Sequence, residues 1–169
     1  GWSGCPDATA KSPTVARGWQ CALTVPRELS MRDGKLCQQP VHEIERMRGD
    51  CVCATGGETV EEPGRLFDLV VSCEGAQVIE LEIRKGVFVR YADGMLTLDM
   101  GDEGYGRDQR SIELSELRDL RVLSDTTMVE IFANGGEAAL TSRTYSPAVP
   151  AMELHAEGAV SMNFYRLVH

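Results

Sequence analysis

The side chains with chemistry to offer are few: three histidines and six cysteines, with 26 acidic residues set against 17 basic ones. Cys51 and Cys53 stand two apart, so on a strand both point to one face, where paired thiols grip a soft metal or oxidise together. The sequence offers them no C-x-x-C partner pair and no neighbouring histidine. Reduced thiols acting as small hydrophobes are therefore expected at Cys5, Cys21, Cys37, Cys51, Cys53 and Cys73. His42 falls on a short helical stretch and His169 ends the chain, which leaves any histidine-centred site to His155, on a strand face that reads as solvated. The acidic run D-M-G-D-E-G-Y-G-R-D at 99–108 has oxygen ligands for calcium but not the spacing of an EF-hand, and reads as a solvated loop. No G-x-S-x-G, P-loop or H-E-x-x-H pattern occurs. No catalytic residue, metal or cofactor is expected.

The formal net charge of -9 repels phosphate backbones and anionic lipid surfaces, so neither nucleic acid nor membrane is an expected partner. With no apolar run long enough for a membrane helix and no basic-then-apolar opening, the expected location is cytoplasmic. A chain of 169 residues can bury a core that needs no disulfide or metal.

The elements that must position any site are strands. Alternation with period two dominates from Leu66 onward: Phe67, Leu69, Val71 and Cys73 share a face, as do Ile79, Leu81 and Ile83. Val87, Val89 and Tyr91 run into Asp93-Gly94, a two-residue hairpin signal, with Leu96, Leu98 and Met100 on its far side. Further strands are predicted at 111–114, 120–123, 128–132, 138–144, 152–156 and 160–167, with a second hairpin turn at Asn134-Gly135-Gly136. A short surface helix is predicted at 40–48, where Val41, Ile44 and Met47 line one side, and a single helical turn capped by Ser115 at 115–118. The predicted class is all-β: a two-sheet antiparallel sandwich of jelly-roll or concanavalin A-like kind, with a short N-terminal helix. The first 40 residues differ in character, with both tryptophans, an apolar strand at 21–25 and a hairpin turning at Arg32-Asp33-Gly34.

Two blocks carry a resemblance. A-R-G-W-Q-C-A-L-T-V-P-R-E-L-S at 16–30, followed by R-D-G-K-L at 32–36 and Q-P-V at 39–41, resembles the junction between propeller and sandwich in glycoside hydrolase family 32 β-fructosidases. V-E-I-F-A-N-G-G-E-A-A-L-T-S-R at 129–143 is similar to the hallmark hairpin of that family's C-terminal sandwich, and the bacterial sucrose-6-phosphate hydrolases are the nearest branch. The opening G-W-S-G-C-P-D is similar to the family's last propeller blade. The resemblance implies three parts: a blade remnant and junction at 1–30, a linker hairpin with a short helix at 31–57, and the sandwich at 58–169. In that family the catalytic carboxylates belong to the propeller motifs W-M-N-D-P-N-G, R-D-P and E-C, and none of these can be placed on a residue here.

The resemblance therefore implies a non-catalytic accessory module that braces a catalytic β-propeller, inactive alone, whose parent hydrolyses terminal β-fructofuranosyl bonds. Trp2, Trp19, Cys21, Leu23 and Val25 are the expected contacts with that propeller, because large apolar side chains dominate such interfaces. The same strand, stripped of blade neighbours, is expected to pair with a second copy as a homodimer. The alternative is a fructan-binding module, for which the sequence shows no concentrated aromatic platform.

Overall fold

A computed structural model describes residues 2–3, 13–55, 57–73, 75–104 and 108–168. Cys5, Tyr105, His169 and part of the acidic 99–108 loop lie outside the described residues, as does the side chain of Trp2.

Sixteen strands follow one another with little helix among the described residues. The N-terminal part holds β1 (Trp2–Ser3), β2 (Ala22–Leu23), β3 (Arg27–Arg32) and β4 (Lys35–Pro40). Then come β5 (Arg48–Thr55), β6 (Thr59–Glu61), β7 (Phe67–Ser72), β8 (Val78–Arg84), β9 (Val87–Ala92) and β10 (Met95–Asp99). β11 (Gln109–Glu113), β12 (Asp119–Ser124), β13 (Met128–Ala133), β14 (Ala138–Arg143), β15 (Ala151–Glu157) and β16 (Ser161–Leu167) complete the chain. Two six-stranded antiparallel sheets result, ordered β11-β10-β9-β8-β15-β6 and β14-β13-β12-β7-β16-β5. This is the predicted sandwich.

Its core is the alternation read from the sequence. Phe67, Leu69, Val71, Val122, Ile131 and Phe164 of the second sheet meet Ile79, Leu81, Ile83, Val89, Leu98 and Leu154 of the first, each at most 1% exposed. Each such side chain contributes on the order of 2 kcal/mol through burial. Asp33-Gly34 and Asp93-Gly94 turn their hairpins with φ positive at both residues, the backbone that matches strand twist. At the end of β8 a register shift between Glu82 and Arg84 turns two successive residues, Ile83 and Arg84, inward. The Arg84 guanidinium donates to Ser124 Oγ and to the carbonyls of Arg65, Asp125 and Ser146. Desolvation lowers its pKa to about 10, so it is still charged at neutral pH.

Several expectations are corrected. The helix near residue 40 is a 3₁₀ helix, His42–Met47, because it must fit the short connection between β4 and β5, where the tighter winding suits so brief a run. No helical turn forms at 115–118: the Arg118 N–H donates to Asn134 Oδ1 and Asn134 Nδ2 donates to the Glu116 carbonyl, so a side-chain brace replaces it. The apolar strand expected at 21–25 shrinks to Ala22–Leu23, since the Val25 N–H is taken by Glu130. β3 crosses the expected 30/31 boundary. β5 pairs with β16 inside the second sheet, so the sandwich takes in residues from Arg48 onward, ahead of the expected boundary at 58.

Candidate docking face

The second sheet is covered on both sides. All six residues of β13 are buried, so Met128, Glu130 and Phe132, which face away from the core, have a cover of their own. That cover is the segment from Trp19 to Arg48, and charge fastens it. Glu130, 2% exposed, accepts the Val25 N–H on Oε1 at 2.7 Å and Arg27 Nη2 on Oε2 at 2.5 Å. Arg27 also donates to Gln38 Oε1 at 3.0 Å and Thr141 Oγ1 at 2.7 Å, with its guanidinium 5.0 Å from the Phe132 ring centroid. Asp68, fully buried on β7, accepts Arg48 Nε at 2.7 Å and both Nε and Nη2 of Arg121, at 2.9 and 2.8 Å. Carboxylates out of water persist only when paired in this way.

The β3–β4 hairpin is held by its backbone as well. Gln38 N–H donates to the Gly136 carbonyl at 2.8 Å in the turn between β13 and β14, and Arg32 reaches the Gly135 carbonyl of the same turn. A Cβ on Gly136 would overlap the Gln38 carbonyl, and φ there is +86°, so the approach requires glycine.

One part of this face stays open. An apolar hollow of about 310 Å³ lies between the β2 region, the 3₁₀ helix and the chain end. Leu23, Val25, Ile44, Met47, Met128 and Val168 line it, with Leu123, Leu66 and Leu167 behind them and Glu130 at its polar side. Leu23 is 77% and Val168 53% exposed. The three-residue spacing of Ile44 and Met47 aligns them on a 3₁₀ helix.

The five expected contact residues are distributed unevenly. Leu23 and Val25 line the hollow. Trp19 stands apart at 41% exposed, its ring 5.2 Å from the Arg143 guanidinium, which donates to the Gln20 carbonyl; Cys21 is exposed. Trp2 pairs through its backbone with Leu23. Leu123, Met128 and Val168 were not among the residues expected from sequence. A usable signal was present in β13, where Met128 and Phe132 share the face of Glu130: two large apolar side chains on a face assigned to solvent mean a second covering layer.

The remaining candidates are ordinary surface. His155 is exposed, its Nε2 3.6 Å from Glu153 Oε2. In the 99–108 loop, Arg90 bridges Asp99 and Glu80, and among the described residues no group of three or more His, Cys, Asp or Glu side chains is placed to hold a metal. No helix among them is long and apolar enough to cross a membrane.

Comparison with known proteins decides the family. The profile for glycosyl hydrolases family 32 C terminal matches residues 88–167. The chain carries a family 32 C-terminal sandwich. It is 37% identical over 161 residues to raffinose invertase of Escherichia coli, covering 80% of this chain and 32% of that protein. It is 32% identical over 172 residues to sucrose-6-phosphate hydrolase of Klebsiella pneumoniae, covering 98% of this chain and 35% of that one. The chain thus spans about a third of the length of these relatives. Among solved structures, sucrose-6-phosphate hydrolase of Lactobacillus gasseri superposes with a TM-score of 0.82 at 22% identity, over 98% of this chain and 37% of that one. A family 32 β-fructofuranosidase of Bombyx mori gives 0.74 at 19%, over 96% and 36%. These two establish a shared fold over nearly the whole of this chain.

Proposed function

We propose that this family 32 sandwich is the non-catalytic accessory part of a β-fructosidase and braces its catalytic β-propeller through the apolar hollow beside β2. The observation that carries the reading is the clamped junction: Arg27 on Glu130 and Arg48 with Arg121 on Asp68 fix the segment over the second sheet, while Leu23, Val25 and Val168 are left facing outward. Rigid apolar side chains on a fixed frame are what an interdomain contact needs. By likeness to relatives named raffinose invertase and sucrose-6-phosphate hydrolase, the parent hydrolyses a terminal β-fructofuranosyl bond of sucrose, sucrose 6-phosphate or a related fructoside. A cytoplasmic location belongs to the same proposal and rests on the unbridged thiols of the described residues. The fructan-binding alternative has little support, since among the Phe, Tyr and Trp side chains that the structure describes Trp19 is the only exposed ring.

The test measures fructose released from sucrose and sucrose 6-phosphate by this chain alone and by the parent enzyme. The chain releases none, and the parent releases it and melts at lower temperature with Leu23→Asp. Release by the chain alone, abolished on replacing one of its own carboxylates, would overturn the reading.

A further inference from the structure

We propose that Cys51 and Cys53 form a two-thiolate clamp for a soft monovalent cation of the copper(I) class on the outer face of β5. The two residues are separated by Val52, which packs against the core, so both sulfurs point the other way, and both residues are exposed. Their Sγ atoms lie 3.2 Å apart, joined by a thiol hydrogen bond. β5 ends its sheet, with β16 on one side, so the pair is approached freely from the open edge. Asn163 Oδ1 lies 3.9 Å from the Cys51 sulfur, which ties the pair to β16.

The donor set selects the ion. Thiolates favour soft metals, and among the described residues no third histidine, cysteine or carboxylate stands close enough to complete a tetrahedral zinc site. A filled-shell monovalent ion is satisfied by two thiolates in a nearly linear arrangement, which the side chains reach by small χ1 rotations that spread the sulfurs. Oxidation to a disulfide fits less well. Residues two apart on an extended strand have Cα atoms about 6.6 Å apart, near the outer limit for a disulfide. A cation between the two sulfurs needs no such approach and takes up their lone pairs as each thiol gives up its proton.

The experiment offers copper(I) to the fully reduced chain without oxygen, in competition with bicinchoninate, whose copper complex is coloured. The native chain withdraws one ion and releases about two protons. Cys51→Ser and Cys53→Ser each weaken the uptake by about 100-fold or more, because half the ligand set is lost, while Cys21→Ser leaves it unchanged. Equal withdrawal by the native chain and the Cys51→Ser/Cys53→Ser double variant would overturn the proposal. So would copper left on the competitor by the native chain while both thiols stay reduced.

Discussion

Arg27 Nη2 sits 2.5 Å from Glu130 Oε2, and the two residues are 103 positions apart in the chain. The contact joins the junction segment to the middle of β13 and makes the segment part of the sandwich. Removing one partner leaves a buried charge without compensation. Arg27→Ala is therefore expected to lower unfolding stability by about 3 kcal/mol, measured by denaturant titration. Arg27→Met combined with Glu130→Leu, which removes both charges and keeps the volume, recovers most of the loss. A single-variant cost below about 0.5 kcal/mol would show that the junction is not held by this pair.

Gly136 is predicted to be intolerant of any side chain. Alanine there meets the Gln38 carbonyl and must adopt φ of +86°, so Gly136→Ala is expected to cost about 3 kcal/mol and to loosen the β3–β4 hairpin. Gly34→Ala is the control: its added methyl meets nothing within 4 Å, so only the φ of +77° strains it and the loss is about 1 kcal/mol. Equal losses for the two variants would remove the close-approach argument.

Alkaline pH is expected to destabilise the sandwich through Cys73. Desolvation raises this fully buried thiol to about 12, with the nearby Asp119 carboxylate adding to it. A raised folded-state value means that the neutral thiol is favoured by folding. The contribution is complete below the thiol's ordinary value of 9.0 and is lost as pH rises toward about 12, by up to about 4 kcal/mol. Stability measured against pH falls more steeply in this window for the native chain than for Cys73→Val. Parallel curves would contradict the assignment.

Leu23 and Val168 stand uncovered beside the apolar hollow. At roughly 50 µM it is expected to self-associate through that hollow, and Leu23→Asp is expected to return it to monomer in light scattering. The driving force differs from an open strand edge, because Ala22 and Leu23 pair with β1 and Val25 donates to Glu130. A monomeric native chain would sink this prediction.

The sandwich was legible because its strands obey alternation. β7 to β10 and their Asp-Gly turn could be read directly, since their core side chains recur at every second position. The covering layer was not legible, because alternation assigns Asp68, Arg121 and Glu130 to solvent, and only their partners in a segment distant in sequence place them inside. Arg84 was hidden for another reason: a bulge breaks the period and turns it inward. Of the docking face, Leu23 and Val25 were legible as apolar residues in the junction. Met128 and Val168 were not, since their place in the hollow depends on where three separate segments meet.

Seating of the catalytic propeller on the hollow beside β2 is measured most directly by calorimetric titration of the parent's separately produced catalytic portion into this chain, native and with Leu23→Asp. Met31→Ser at the exposed hairpin tip is the control. One-to-one binding is expected for the native chain and for Met31→Ser, weakened by about tenfold or more with Leu23→Asp, which places a charge in an apolar contact. Binding unchanged by Leu23→Asp, or lost only with Met31→Ser, would contradict the account.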